Sequence, residues 1–184
     1  MTDHPIAEGM RRRRSHSSVT DAAPTRRELL PLIEAAASVA DHASLRPWRI
    51  IALRGDARTR LGRALAEATG LEGSAAEKMA AKPLRAPLLL AIVVSPKPSH
   101  KVALWEQEAV ASGVAHALSL VLDEAGWGVM WRTGLQVRSG AVHRMHELAA
   151  DEMLLGWLYV GGKPAKTKSG RRKPISAKGY LTSA

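Results

Sequence analysis

A long, almost uncharged helical segment dominates the second half of this 184-residue chain. The helix is predicted over residues 102–125, and between 109 and 122 it holds only small or apolar residues apart from Ser112, His116 and Ser119. Such a helix has no polar side to turn toward water, so it needs cover almost all round. This requirement argues against a simple doubly wound sheet, which covers one side only. A second subunit is a natural source of the remaining cover.

Four apolar runs elsewhere in the chain are predicted as β-strands. They span residues 48–53, 87–95, 129–132 and 153–160. The run at 87–95 is continuous and rich in β-branched residues, which is typical of a central strand covered on both faces. Together with the helices between them, the four strands predict one sheet flanked by helices.

Shorter helices are predicted around these strands, over residues 25–38, 56–68, 74–83 and 139–148. Thr25 and Glu28 have the spacing of a capping box, in which the first side chain and the third residue of the helix satisfy each other's backbone N–H groups. Ser74 and Glu77 have the same spacing and predict a second box. Ser139 is predicted to cap the last helix.

Composition restricts the chemistry available to the chain. There is no cysteine, which excludes disulfides, thiolate nucleophiles, cysteine-ligated zinc and cysteine-ligated iron-sulfur clusters. The seven histidines show no metal-ligand spacing, and no metal is predicted. Neither a G-x-G-x-x-G motif nor a P-loop is present, so a Rossmann or P-loop nucleotide site has no support. Any redox chemistry therefore depends on a bound organic cofactor.

The net charge of +10 is concentrated at the two ends of the chain. Residues 15–162 carry 16 Lys and Arg against 15 Asp and Glu, whereas the excess lies in residues 11–14 and after residue 162. Basic termini can bind polyanions or gather round one phosphate. No apolar run approaches the roughly 20 residues of a membrane span, and no secretory signal is evident, which predicts a soluble cytoplasmic protein.

Three polar segments carry the chemistry. Residues 11–15 (RRRRS) offer fork-shaped cations and a hydroxyl that suit a phosphate. Residues 41–48 (DHASLRPW) put a histidine in a loop before a strand. Residues 131–134 (WRTG) put an arginine beside a tryptophan at the end of an apolar strand, a costly arrangement unless it meets an anion or an electron-rich ring. In combination, the three segments indicate a pocket for a flavin.

On these segments the chain resembles the nitroreductase family, and within it the small bacterial flavoproteins of the YdjA-like subgroup. The resemblance covers residues 13–162 and also rests on residues 105–108 (WEQE) and on the glycines of 156–161. It implies an α+β, nitroreductase-like fold with a central, mainly antiparallel sheet flanked by helices, in an intertwined homodimer with FMN at the subunit interface. The cofactor-binding residues that it implies are Arg13, Arg14, Ser15, His42, Trp131, Arg132 and Thr133.

The resemblance also implies an activity: hydride passes from NAD(P)H through flavin N5 to nitroaromatic or other electron-poor organic acceptors. No side chain is assigned as a catalytic acid or base, because the cofactor carries the hydride. The implied organisation is a flexible N-terminal segment (1–12, frayed or a short helix), an FMN-binding domain (13–162) and a basic C-terminal tail (163–184).

Three alternatives stay open. The first is a flavoenzyme of the same fold with a different reaction, such as a dehydrogenase or dehalogenase. The second is a flavin-free structural relative. The third is a nucleic-acid-binding domain that uses the basic termini. The near-neutral body and the low aromatic content, 4% of residues, count against the third, because single strands need stacking platforms.

The chain departs from its relatives at three positions beside the motifs. Many relatives carry a basic residue two places after the motif serine, where this chain has Ser17. The choice between Arg132 and Arg46 as the cation that stabilises reduced flavin is therefore left open. Many relatives also have Asn and Gln where this chain has Ser44 and Arg46, which predicts a different substrate pocket.

Overall fold

The computed structural model describes residues 4–165 and 175–183. Within these ranges the helices are α1 (Pro5–Arg12), α2 (Arg26–Ala36), α3 (Asp56–Thr69), α4 (Gly73–Ala80), α5 (Leu104–Glu124) and α6 (Gly140–Met145). The strands are β1 (Trp48–Leu53), β2 (Leu88–Val94), β3 (Trp127–Arg132) and β4 (Met153–Gly162). Of the predicted basic tail, residues 166–174 and 184 lie outside the described ranges.

The four strands form one sheet in the order β1-β2-β4-β3, and each neighbouring pair is antiparallel. The two central strands are aligned with Leu90 of β2 opposite Leu158 of β4. All seven residues of β2 are buried, which confirms the central strand that its continuous apolar run predicts. The predicted α+β class, with an antiparallel sheet flanked by helices, is confirmed.

Helices cover both faces of the sheet, so the core has two layers. The layer beneath α2 and α5 is built around Leu90, Leu118 and Leu158. The layer beneath α3 and α6 is built around Leu61 and Leu89. Successive strand residues point to opposite faces, so each strand supplies both layers.

Two of the predicted helix caps are confirmed, and one is wrong. Thr25 and Glu28 make both hydrogen bonds of the capping box that opens α2, and Ser139 accepts from the backbone of α6. The predicted box at Ser74 does not form, because α4 begins at Gly73 and its N-cap is Glu72, two residues before the predicted cap. Glu72 makes no side-chain capping hydrogen bond. Gly73 has a φ of +53°, a turn that places Ser74 inside the first helical turn.

The predicted end of the last strand is also corrected. β4 continues through Gly161 and Gly162 instead of stopping before them. Both glycines pair with β3, and Gly162 also accepts a hydrogen bond of 2.9 Å from the backbone N–H of Thr20. A Cβ at Gly161 would lie 2.6 Å from the Thr20 carbonyl oxygen, so the absence of side chains lets the N-terminal segment lie directly on the strand.

Helix α5 is buried on the side that faces the sheet and uncovered on the other. Val114, Leu118 and Leu122 are fully buried. Trp105 is 71% exposed, and His116 is exposed as well. The predicted burial all round is therefore not achieved within one chain. No helix in the described part of the chain is long and apolar enough to cross a membrane.

Candidate functional site

A cavity of about 310 Å³ opens where β3 ends. Its walls come from α3, α4, the turn before β2, β3 and β4, and the size is within the usual range for small-molecule pockets. The lining residues are Leu65, Met79, Lys82, Met130, Trp131, Arg132, Thr133, Gln136, Trp157 and Tyr159. The cavity therefore brings together the three site residues predicted on β3 and just after it.

The cavity is cationic. Arg132 and Lys82 line it, and no carboxylate among the described residues does. The Arg132 guanidinium carbon lies 5.1 Å from the centroid of the Tyr159 ring. Its Nε is buried and has no hydrogen-bond partner among the described residues, an arrangement that favours an anionic or electron-rich ligand.

Tyr159 adds a third potential donor to this wall. Burial, the leading cause, raises the pKa of Tyr159 to about 12, so its hydroxyl stays protonated at neutral pH. Lys82 is a site residue that sequence reasoning missed. The signal that could have found it is its position in the basic turn Lys82–Arg85, immediately before the central strand.

Trp131 extends from β3 toward α5, as the alternation of side chains along a strand requires. Its ring centroid lies 4.9 Å from that of His116 in an edge-to-face arrangement. Its indole Nε1 is buried without a partner among the described residues. The two neighbours Trp131 and Arg132 thus present unpaired donors on opposite sides of the strand.

Gly156 lets β4 approach the end of β3 closely. Its φ is +127°, which strongly favours glycine. A Cβ there would lie 2.4 Å from the Arg132 carbonyl oxygen and 3.1 Å from Trp131 Nε1. The pairing of β2 with β4 shifts register beside it, opposite Ile92 and Val93, and such bulges commonly redirect side chains at sites.

The predicted phosphate segment, residues 11–15, begins in the last turn of α1, and its arginines have different roles. Arg14 Nη1 donates to the carbonyl oxygens of Arg11 (2.5 Å), Arg12 (3.0 Å) and Arg13 (3.0 Å), which closes the C-terminal end of the helix. Neither the Arg13 guanidinium nor the exposed Ser15 hydroxyl has a hydrogen-bond partner in the described structure. Arg13 and Ser15 are therefore available to an anion.

The backbone fixes this segment beside β3. His16 N donates to the Val129 carbonyl oxygen at 2.9 Å, so Ser15 lies beside Val129 of β3. Val129 precedes Arg132 by three residues, a distance of roughly 10 Å along the strand. Arg13 also lines a second cavity, of about 480 Å³, together with His116 of α5. The arginine segment and the first cavity consequently lie along the same strand.

His42 lies on a strained loop and lines neither cavity. Its Nδ1 is 3.0 Å from Glu106 Oε2, and this hydrogen bond is the leading cause of a lowered pKa for Glu106. Ala43, Ser44 and Arg46 all have φ between 48° and 61°, and backbone strain of this kind in non-glycine residues is concentrated at functional sites. The loop is held by Asp41 Oδ2, which accepts from Arg46 N at 2.7 Å.

Comparison with known proteins identifies the family. The model described as "Nitroreductase family" matches residues 10–162. "Putative NAD(P)H nitroreductase YdjA" of Escherichia coli K12 is 30% identical over 165 residues, 88% of this chain and 90% of the relative. "Putative NAD(P)H nitroreductase" of Haemophilus influenzae is 26% identical over 175 residues, 92% of this chain and 94% of the relative. The chain therefore belongs to the nitroreductase family, whose members are oxidoreductases, and its YdjA-like character is confirmed.

Solved structures agree on the fold. A nitroreductase-like family protein from Bacillus cereus superposes with a TM-score of 0.83 over 100% of this chain and 98% of the other, at 19% identity. The FMN and NADPH-dependent nitroreductase NfnB from sphigopyxis sp. strain HMH gives 0.75 over 98% and 99% of the two chains, at 16% identity. The nitroreductase-like fold predicted above is thus confirmed.

The residues present fit the FMN that the family resemblance implies. A flavin ring presents electron-rich carbonyl and nitrogen atoms. The first cavity offers Arg132, Lys82 and Tyr159, with no competing carboxylate in the described part of the chain. The phosphate of FMN needs cations, and Arg13 has its guanidinium unpaired within the described ranges. The buried, unpartnered Nε of Arg132 is the clearest sign that a ligand belongs in this cavity.

Proposed function

We propose that this protein is an FMN-dependent oxidoreductase that passes hydride from NAD(P)H to nitroaromatic or other electron-poor organic acceptors. Membership of the nitroreductase family supports the reaction class. The observation that most supports FMN as the cofactor is the buried Arg132 Nε, which has no partner among the described residues and lies at a cavity that none of their carboxylates lines. When bound, FMN supplies the hydride transfer, which takes place at its N5 atom.

The role of the chain is to bind, orient and stabilise. Arg13 and Ser15 hold the phosphate by charge-assisted hydrogen bonds, while Arg14 closes α1 directly before them. Arg132 and Lys82 stabilise negative charge at the electron-rich edge of the ring. Lys82 thus supplies the positive charge that many relatives carry at the position of Ser17. Of the two arginines considered for stabilising reduced flavin, Arg132 is preferred to Arg46, because Arg46 does not line the cavity.

The aromatic and small polar residues near the end of β3 complete the pocket. Thr133 borders the ring on the Arg132 side of β3, and Trp131, which packs against His116, closes the end of the cavity from the α5 side, so that water is excluded. Exclusion of water strengthens the electrostatic interaction between Arg132 and the ring. No side chain is required as an acid or base for the hydride step.

The proposal includes a homodimer with FMN at the subunit interface. The uncovered side of α5 carries Trp105, Ala109 and His116, an uncharged surface that a second subunit can bury. His42, which lines neither cavity of its own chain, then contacts the flavin of the partner subunit.

The test is an absorbance spectrum of the purified protein before and after incubation with FMN. Wild-type protein is expected to bind FMN and to oxidise NAD(P)H when a nitroaromatic acceptor is present. Arg132→Gln is expected to weaken FMN binding about tenfold, because it removes a charged donor from the pocket. Arg138→Gln changes an exposed arginine that does not line the cavity and serves as the control.

A protein that stays colourless with excess FMN would contradict the proposal. Equal FMN affinities for Arg132→Gln and Arg138→Gln would show that Arg132 does not contribute to FMN binding. If FMN binds but nitroaromatic acceptors are not reduced, a panel of other acceptors distinguishes the dehydrogenase and dehalogenase reactions.

A further inference from the structure

Two consecutive carboxylates at the C-terminal end of α5 contact the residues on either side of the phosphate segment. Glu124 Oε2 accepts from Arg12 Nη2 at 2.5 Å. Asp123 Oδ1 lies 3.8 Å from His16 Nε2. The intervening residues 13–15 are those assigned to the phosphate, so the segment is held at both ends by one helix.

The Asp123 contact is buried. The side chains of Asp123 and His16 are 8% and 7% exposed, whereas those of Glu124 and Arg12 are both more than 60% exposed. A buried carboxylate is stable only when other groups satisfy it. The Asp123 contact is therefore shielded from solvent but long, at 3.8 Å, whereas the pair at Glu124 is short but exposed and screened by solvent.

Lys163 supplies the charge that balances Asp123. Its Nζ lies 3.1 Å from Asp123 Oδ1 and donates to the Asp123 carbonyl oxygen at 2.8 Å. Burial, followed by the Lys163 ammonium, lowers the pKa of His16, so the imidazole is largely neutral at pH 7. Asp123 thus joins the N-terminal segment to Lys163, the residue that follows β4.

Close packing holds the backbone after His16 in the same place. A Cβ added to Gly128 of β3 would lie 2.9 Å from Val19 and 3.4 Å from the His16 Cβ. His16 N also bonds to Val129, as described above. The segment therefore cannot shift on β3 without losing both these contacts and its link to Asp123.

We propose that Asp123 and Glu124 are positioning residues that hold Arg12 and His16 so that Arg13 and Ser15 are preorganised for the phosphate of FMN. This inference rests on the proposed function. Arg12 and Arg14 are both engaged by groups of the protein, so between the two contacts with α5 only Arg13 has a guanidinium without a hydrogen-bond or ion-pair partner in the described structure. Arg11, which lies before the first contact, is unpaired there as well. The contacts of Glu124 with Arg12 and of Asp123 with His16 together form a clamp on residues 12–16. The clamp orients the Arg13 guanidinium and adds no phosphate ligand of its own.

The test compares FMN with riboflavin, which lacks the phosphate, in fluorescence titrations of the flavin-free protein. Asp123→Asn keeps the shape of the side chain and removes its charge. It is expected to weaken FMN binding about tenfold and to change riboflavin binding by less than about twofold. Glu124→Gln, at the exposed contact, is expected to weaken FMN binding about twofold. Asp151→Asn, an exposed carboxylate elsewhere, is the control and is expected to change neither.

A double-mutant cycle separates positioning from a general structural role. If Asp123 acts through Arg13, then Asp123→Asn changes FMN affinity by less than about twofold once Arg13→Gln is present. The inference is overturned if Asp123→Asn weakens both flavins equally, or if its effect persists undiminished in the Arg13→Gln background.

The remaining outcomes are equally decisive. If Asp123→Asn does not fold, Glu124→Gln provides the test, and an unchanged ratio of FMN to riboflavin affinity would overturn the inference. If wild-type protein binds neither flavin, the proposed function itself fails. If the wild type binds FMN tightly and Asp123→Asn leaves the ratio of FMN to riboflavin affinity unaltered, the proposed clamp is refuted while the proposed function stands.

Discussion

Arg49 and Glu152 show how one pair of side chains joins two strands of the sheet. Arg49 Nε and Nη2, on β1, donate to the two carboxylate oxygens of Glu152 at 2.7 Å each, and Glu152 immediately precedes β4. Glu152 Oε2 also accepts from Ala149 N at 3.0 Å. The Arg49 hydrogen bonds are the leading cause of the fall in the pKa of Glu152 from 4.5 to about 2.

Glu152→Gln should lower the free energy of unfolding by about 2 kcal/mol at pH 7. Because the folded-state pKa is depressed, the stabilisation is fully present above pH 4.5 and is lost as the pH falls toward about 2. Urea unfolding at a series of pH values should therefore show a smaller loss of stability in this range for the variant than for the wild type. Glu77→Gln, an exposed glutamate, is the control. Parallel pH profiles of wild type and Glu152→Gln would contradict the assignment.

His146 supports the back wall of the cavity. Trp157 Nε1 donates to His146 Nε2 at 3.0 Å, so His146 Nδ1 carries the proton that bonds to the Val142 carbonyl oxygen at 2.8 Å. Burial, the leading cause, lowers the pKa of His146 and keeps it neutral. The neutral imidazole fixes the orientation of Trp157, which lines the cavity.

Different sides of helix α5 face the core, the second cavity and the residues of the proposed clamp. Leu118 packs in the core beneath the sheet, and His116 lines the second cavity. Its last turn supplies Asp123 and Glu124. Leu104 and Trp105, in the first turn, stay largely exposed. The energetic contribution of a residue on this helix is therefore determined by the side on which it lies.

Leu118→Ala and Leu104→Ala make the same chemical change on one helix. Leu118 is fully buried, and its truncation should reduce the free energy of unfolding by about 3 kcal/mol, through lost apolar burial and the cavity left behind. Leu104 is 48% exposed, and its truncation should reduce the free energy of unfolding by less than about 1 kcal/mol. Chemical denaturation monitored by tryptophan fluorescence measures both. Similar losses of unfolding free energy for the two variants would show that α5 does not pack on the sheet through its Leu118 side.

The whole molecule presents an uncharged stripe along the uncovered side of α5. Trp105, Ala109, Ser112, His116 and Leu120 recur at helical spacing and are all at least partly exposed. A monomer would leave this stripe in water. The proposed homodimer buries it and places the His42 loop of one subunit against the site of the other.

Ala109→Arg introduces a charge in the middle of this stripe and should convert the dimer to a monomer, because an unpaired charge is unfavourable in a buried interface. The affinity for FMN should fall when the dimer dissociates, since in the proposed homodimer the partner subunit completes the FMN site. Ala35→Arg, on the exposed side of α2, is the matched control. Sedimentation velocity measures the oligomeric state. A variant that remains dimeric with unchanged FMN affinity would exclude this side of α5 as the interface.

Much of the architecture was predictable from local pattern. Residues 48–53 form the predicted strand, the continuous run before Ser95 is the buried central strand, and Thr25 opens α2 with the expected capping box. These features depend on interactions between residues close in sequence, where apolar periodicity and backbone hydrogen bonding are decisive. The same information predicted a site at the end of β3, where the structure has a cavity lined by Arg132, since an arginine there requires a partner.

The distribution of tasks within the site was not predictable in this way. The four arginines at 11–14 look equivalent in the sequence, yet Arg14 caps α1, Arg12 pairs with Glu124, and Arg11 and Arg13 are unpaired within the described ranges. Lys82 reaches the cavity only because α4 and the turn before β2 pack against β3 and β4. Contacts between residues distant in the chain depend on strand register and helix packing, and many local sequences satisfy the same periodicity without specifying those contacts.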